Sequence, residues 1–484
     1  MKKLLFIFLS FLFLYSEVHA STILVSGFGD GTCSIANVQD AINSAADAST
    51  FQTGDTVVVP AGSCDWTTGA YYTQAITIPD AKAITLQGSG IGVTNITQTE
   101  GYELIEFNNA SRITGFTFKE GKVKATGQDW RIDHNRFESV CATGTTSIAI
   151  SAENPSTNLQ VRGVADNNQF HNLRNYSRGY QNLDNASWAT ALSLGDVNAP
   201  YFEDNAFTYS SCATIQAQDA SYGGSYVFRN NAVQDASVMA HAVQGLNRAA
   251  RRWEVYNNVF TAVTTPDGSH ANFPGFVRAG TGLWFGNELV GGVGATAGNW
   301  SNPVIQFDEQ RSCWSTAYSV SSPGNCDGNS PWDQNTVDAT GYACRDQIGR
   351  GYDTVQWVST FESEGAYAQP LVPAYSWENV RYPTEADRLA GTNGVAISFI
   401  VKTDICAAAK AHIVENRDFY NASSLADAKT KGLDAGYAPY GTLSGGRYYH
   451  PLRDDIPSQG SKSSAVYNAS GLTAVYNASG MTGQ

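Results

Sequence analysis

Between Lys124 and Lys402 the chain has no lysine at all. It also has no CxxC pair, no GxSxG elbow, no P-loop, no HExxH and no Gly-His-Gly. The missing lysines remove the usual ammonium base for drawing a proton from the carbon beside a uronate carboxylate. A base in that long middle section must therefore be Arg, His or Tyr. The missing CxxC, together with the lack of any His at ligand spacing from a Cys, argues against zinc. Charge is scarce, at 15% of residues, and its balance is −14. Removing the first twenty residues (Lys2, Lys3 and Glu17, net +1) gives −14 − 1 = −15. An acidic surface of this kind excludes nucleic acid and anionic lipid headgroups as partners.

Long apolar runs are missing too, apart from Leu4–Tyr15. That run follows Lys2 and Lys3 and precedes Val18-His19-Ala20, so residues 1–20 read as a signal peptide. The mature chain is expected outside the cytoplasm of a bacterium, secreted, periplasmic or at the cell surface, with no membrane span after signal removal. Eight cysteines (Cys33, Cys64, Cys141, Cys212, Cys313, Cys326, Cys344 and Cys406) in an exported chain are most simply paired as disulfides. Eight allow about 105 connectivities, and sequence does not choose among them.

What the chain has in quantity is Gly, Asn, Ser, Thr and Tyr, the composition of a large turn-rich β protein. One pattern recurs: "RIDHNRF" at Asn135, "VADNNQF" at Asn168, "YFEDNAF" at Asn205, "VFRNNAV" at Asn231, "EVYNNVF" at Asn258 and "LWFGNEL" at Asn287. The Asn positions are 33, 37, 26, 27 and 29 residues apart. Each copy has a short extended run, a polar corner at the Asn, and a hydrophobe two residues later. A period of 20–50 residues marks a repeat architecture, and these units are strand-like. In a parallel β-solenoid, coils stack at about 4.8 Å, and a corner near the left-handed region favours Asn. Stacked Asn side chains would then bond to one another along the axis. Hairpin turns of an antiparallel sandwich fit less well, because the spacing is too long and Gly never follows the Asn. The reading is all-β, a right-handed single-stranded parallel β-helix.

Upstream, "ANVQDAINSAAD" (36–47) places Val38, Ala41, Ile42 and Ala45 at helical spacing, which suits a cap over the exposed solenoid end. "GDTVVVPAG" (54–62) and "ITLQGSG" (84–90) read as short strands closed by Gly or Pro. The set Cys33…Val38-Gln39-Asp40-Ala41-Ile42…Gly54-Asp55-Thr56-Val57…Pro60-Ala61-Gly62 resembles the opening of secreted right-handed parallel β-helix proteins, the pectate-lyase-like superfold. The resemblance runs to about residue 290. "GYACRDQIGRG" (341–351), "PAYSWENV" (373–380) and "HIVENRDFYN" (412–421) look like segments of a bacterial group of such proteins, whose activity does not carry over. The domain reading is a signal peptide at 1–20 and a capped solenoid at 21–295. A loop-rich, disulfide-tied extension packed on the solenoid follows at 296–456, with a helix at 404–416. A tail at 457–484, flexible or weakly β, repeats "AVYNASGLT" as "AVYNASGMT".

The superfold hosts lyases, hydrolases, esterases and inert adhesins, so chemistry has to be read from residues. The densest cluster is residues 219–258, with Asp219, Tyr222, Asp235, His241, Arg248, Arg251 and Arg252. His241 with Arg248, Arg251 or Arg252 would move protons and hold a carboxylate, Asp219 would orient, and Tyr222 and Asp235 would touch substrate. The bland alternative makes the arginines ordinary surface residues and His241 a turn hydrogen-bonder. A second cluster holds Asp346 and Arg350 as substrate contacts, against a loop in which the two pair with each other. No cofactor is expected. The oxygen-rich "DGNSPWDQN", with Asp327 and Asp333, is a weak Ca²⁺ candidate, departing from the EF-hand pattern in its Gly, its Pro and its missing closing Glu. The partner expected is a polysaccharide or cell-surface glycan, bound and cleaved in a lyase- or hydrolase-like manner in a groove on the β-helix. The alternative is a non-catalytic surface, adhesive or structural protein, and sequence leaves the choice between enzyme and non-enzyme open.

Overall fold

The computed structural model describes residues 20–456 except 70–72, 100–101, 142–146, 155–159, 181–184, 211–215, 243–247, 264–272, 309–336, 339–340, 343–345, 352–368 and 402–412. It also describes 464–468 and 471–476. The signal peptide, Asp327, Asp333 and most of the 404–416 helix expectation lie outside the described residues. Three long sheets carry the chain. Sheet A has twelve strands, among them Arg112–Thr114, Gln128–Asp133, Arg162–Asp166, Pro200–Glu203, Ser225–Arg229, Arg252–Tyr256 and Thr281–Phe285. Sheet B follows each of these after a corner, as in Arg136–Glu138, Gln169–His171, Ala206–Thr208, Ala232–Gln234, Val259–Thr261 and Glu288–Val290. Sheet C closes the coil, with Lys122–Ala125, Ser147–Asn154, Leu173–Tyr180, Gln216–Ser221, Ser237–Ala240, Gly275–Val277 and Ile305–Phe307. Neighbouring strands run parallel, as from Arg162–Asp166 through Arg252–Tyr256 in sheet A. This is a right-handed parallel β-helix, the hand that twisted parallel strands impose on their crossovers.

The repeated Asn makes the corner between sheets A and B. Asn135 N donates to Asn168 Oδ1 at 3.0 Å, and Asn168, Asn205, Asn231 and Asn258 do the same to the next Asn at 2.9–3.1 Å. Each Nδ2 reaches back to a carbonyl of the preceding coil, Asn231 to Phe202 O at 2.9 Å for example. All six are buried. The left-handed residue, however, is the one before the ladder Asn. His134, Asn167, Asp204, Asn230, Asn257 and Gly286 have φ between 53 and 61°. That separates two roles which sequence reading assigned to one residue. The position before bends the chain and accepts several residue types, whereas the ladder position needs a side chain that both accepts and donates.

Two residues on, the hydrophobes stack inside sheet B. Phe118, Phe137, Phe170 and Phe207 have successive ring centroids 5.1, 5.2 and 4.6 Å apart. Helix Ile35–Ser44 closes the first coil, with Ser34 Oγ accepting from Asn37 N and Val38, Ala41 and Ile42 in the core. Cys33 and Cys64 form a disulfide there. Cys141 is disulfide-bonded as well, to a partner outside the described residues.

The three sheets run on past residue 295. Ile305–Phe307 and Phe399–Val401 extend sheet C, Val380–Tyr382 extends sheet B, and Ala374–Trp377 and Phe419–Asn421 extend sheet A. Asn379 is a seventh rung, accepting from Asn287 N at 3.1 Å. Its distance of 92 residues from Asn287 hides it from a search for a regular period. The tandem tail forms an antiparallel hairpin, Ser464–Asn468 against Gly471–Tyr476. No helix among the described residues is long and apolar enough to cross a membrane.

Replacing Asn231 by Ala strands the buried Asn205 N–H and the Phe202 carbonyl. An unmade buried bond of this kind costs roughly 1–3 kcal/mol per group, so denaturant unfolding should report a loss of about 3 kcal/mol. Asn95→Ala, at a half-buried side chain bonded only to Gly92 O, should stay within about 0.5 kcal/mol.

Candidate functional site

The three sheets differ in what their edges carry. From Arg112–Thr114 through Ala374–Trp377, every A-to-B corner has two residues. Connections on both flanks of sheet C vary widely instead. Those entering it include 138 to 147, 208 to 216 and 261 to 275. Those leaving it include 180 to 200, 240 to 252 and 307 to 374. Variation in coil length is therefore concentrated at the two flanks of sheet C, and variable connections on a rigid scaffold are where function-bearing residues tend to sit.

The outer face of sheet A is covered over its middle strands. Residues 437–455 lie across it and bond into a ladder of charges. Arg453 meets Glu203 at 3.1 Å and Asp204 at 2.6 Å, and Arg131 meets Asp166 at 3.0 Å and Asp455 at 2.5 Å. Arg229 pairs with Glu203 at 2.6 Å, and its Nη1 donates to Tyr256 Oη and to Tyr440 O. Farther along the same outward row, Tyr256, Phe285 and Trp377 stack at 4.5 and 4.3 Å. Arg252, a sequence candidate, sits on this sheet, 2% exposed and paired with Glu254 and Asp196. It does not share a face with His241.

His241 and Asp219 come together on sheet C as expected. His241 directly follows strand Ser237–Ala240, and Asp219 lies on Gln216–Ser221. Nδ1 of His241 is 2.7 Å from Asp219 Oδ1. Asp219 is 1% exposed, whereas the His241 side chain is 18% exposed. Burial alone would raise the Asp219 carboxyl, but His241 and Arg174 outweigh it and hold the group below its ordinary value. An ionised Asp219 only accepts, so Nδ1 of His241 donates to it, and Nε2 is the ring nitrogen not engaged by Asp219.

Around this pair the strand register collects residues that the sequence reading passed over. Tyr176 is the direct neighbour of Asp219 one coil earlier, and Arg178 neighbours Ser221. Arg174 Nη1 is 3.0 Å from Asp219 Oδ2. The Tyr176 hydroxyl bonds to that of Ser221. Burial pushes Tyr176 well above the usual phenol range, so it stays protonated and can donate. The Arg178 guanidinium lies 4.5 Å from the Tyr222 ring centroid, and Arg278 lies 4.3 Å from that of Phe276. Half-buried, stacked guanidinium groups of this kind suit planar carboxylates. A signal for them was present. "LRNYSRGY", at Leu173–Tyr180, alternates with period two and puts Arg174, Tyr176 and Arg178 on one face.

The remaining candidates are placed elsewhere. Arg248 is fully buried against Asp346, bidentate at 2.7 and 2.6 Å. Arg251 donates to the Ser187 and Thr190 carbonyls. Asp235 is a buried left-handed corner that accepts from Val263 N at 2.7 Å. Arg350 pairs with Asp418 at 3.4 Å, and Asp346 with Arg248, so the expected Asp346–Arg350 pair is replaced by these two. Tyr222 is on the site as the ring under Arg178.

No family model and no curated protein matches the chain. One solved structure it is similar to is an alginate lyase from Paenibacillus sp. str. FPU-7. The alignment covers 79% of this chain and 99% of that one, at 12% identity and a TM-score of 0.38.

The covered part of the sheet A face makes a pH prediction. Against full burial, Arg229, Arg453 and His450 lower the Glu203 carboxyl from 4.5 to about 2. A depressed carboxyl contributes stability above its unfolded value and loses it as pH falls through its folded value. Chemical denaturation should therefore show stability dropping between about pH 4.5 and about pH 2, with Glu203→Gln flattening that stretch of the profile.

Proposed function

We propose that this protein is exported and that it binds and cleaves an acidic extracellular polysaccharide by β-elimination on the outer face of sheet C. The observation that carries the proposal is the His241–Asp219 pair, partly open to solvent, with Arg174, Tyr176, Arg178 and Arg278 beside it on the one sheet flanked by long insertions. The arginines hold the uronate carboxylate and offset the charge that develops on it as the neighbouring carbon loses its proton. His241 Nε2 takes that proton, while Asp219 fixes the ring and steadies the imidazolium. The carbon–oxygen bond to the leaving sugar breaks, a carbon–carbon double bond forms, and Tyr176 gives its proton to the departing oxygen. A hydrolytic route fits less well. It asks for two carboxyls about 5–10 Å apart across the bond, and Asp219 is already buried between His241 and Arg174.

Mature protein incubated with a panel of uronate and neutral glycans should produce ultraviolet-absorbing unsaturated ends from a uronate polymer only. His241→Ala should lower the rate by about 10²–10⁴-fold while Arg136→Ala, on sheet B, leaves it unchanged. Silence across the panel with glycan binding retained would replace the enzyme with a non-catalytic binding or adhesive solenoid. Activity that survives His241→Ala would move the site elsewhere.

A further inference from the structure

The buried pair Arg248–Asp346 lies behind the wall of this face and is tied by backbone to His241. Main-chain N of His241 donates to Ala220 O at 2.8 Å, and its O accepts from Ala250 N at 2.9 Å. The chain therefore leaves sheet C at His241 and is drawn back against it at Ala250. What holds the returning strand is Asp346. Its Oδ2 accepts from Ala249 N at 3.2 Å, and both its oxygens accept from Arg248. Gln369 completes the set, with Nε2 donating to Asp346 Oδ1 and Oε1 accepting from Asp346 N, both at 2.8 Å.

The Asp346 carbonyl accepts from Gly280 N at 3.0 Å, in the coil whose Arg278 N donates to Ala240 O at 2.9 Å. One residue thus joins the two coils, its carboxylate holding Ala249 in the coil that carries His241 and its main-chain carbonyl meeting Gly280 in the coil that carries Arg278. Trp188 adds a third insertion to the cluster, its Nε1 donating to Ala249 O at 2.9 Å and its ring lying 4.9 Å from the Arg248 guanidinium. Arg248 and Asp346 are fully buried, so neither can touch a polymer on the surface.

We infer that Asp346 and Arg248 are positioning residues for His241, fixing the imidazole against Asp219 through the Ala249–Ala250 backbone. The inference rests on the reading of His241 as the proton acceptor. A pair that served the fold alone would set stability and leave the His241–Asp219 hydrogen bond unchanged whenever the chain stayed folded.

The test uses the full mature chain in three variants: Asp346→Asn, the double apolar replacement Arg248→Met with Asp346→Leu, and Arg388→Met as a remote buried ion pair. The double variant avoids a stranded buried charge, since swapping both partners of such a pair for apolar groups is often neutral for stability. The readout is the downfield Nδ1 proton resonance of His241, identified by its loss in His241→Ala, together with the thermal midpoint. The expected result is exchange of that proton with water at least about tenfold faster in both Asp346 variants, and unchanged in Arg388→Met. A resonance that persists in a folded Asp346 variant overturns the inference. Failure of both Asp346 variants to fold also overturns it, because the pair then serves the fold itself. If the resonance responds as expected while His241→Ala leaves glycan cleavage and binding intact, the positioning stands and the lyase reading falls.

Discussion

The structure depends on one repeated contact, a carboxamide at the A-to-B corner bonded to the backbone of the coil before it and to the carboxamide of the coil after it. An Asn there satisfies the N–H of its predecessor in the ladder and a carbonyl of the coil before it, both in places that water does not reach. Buried backbone groups left unpaired cost as much as a lost hydrogen bond, so the corner has little freedom in length. Two residues join sheets A and B in every coil from Arg112 to Trp377. With that edge fixed, variation in coil length has to appear on the flanks of sheet C. Rigidity at one corner thereby leaves the flanks of sheet C as the places where coil length varies.

The same economy shows in how charge is used. Few charged residues are available, and many are spent inside. Arg131, Arg229 and Arg453 and their carboxylates weld residues 437–455 onto sheet A, and Arg248 with Asp346 ties insertions beside sheet C. Burying ions is costly unless each is met by a partner in good geometry, and the bidentate contacts here meet that condition. On sheet C the arrangement differs. Arg174, Arg178 and His241 are half-buried, with side chains 23, 34 and 18% exposed. This partial exposure contrasts with the fully enclosed Arg131, Arg229 and Arg453 under residues 437–455.

Much of this was legible in the sequence, and the rest was hidden for physical reasons. The corner period and the capping helix were visible because each repeats or alternates locally. The bend at the preceding residue was obscured because His, Asn, Asp and Gly all adopt the left-handed region there, leaving no single letter to follow. The later coils were obscured by long insertions between rungs. Asp219 and His241 stood out as a titratable pair about one coil apart. Arg248, Arg251 and Arg252 looked equally suitable, since consecutive cations read as surface. Burial, which sequence does not print, is what separates them. Arg174, Tyr176 and Arg178 passed unnoticed because they belong to a different coil, and strand register is what brings them alongside.

Native-state hydrogen exchange resolved to single amides tests the corner ladder most directly. The account predicts that the backbone N–H groups of Asn135, Asn168, Asn205, Asn231 and Asn258 exchange only with global unfolding, all at one common free energy. They should be slower than amides at the ends of the sheet C strands. Exchange of those five amides at scattered rates, or as fast as the strand ends, would contradict a continuous ladder and the fixed A-to-B corner that follows from it.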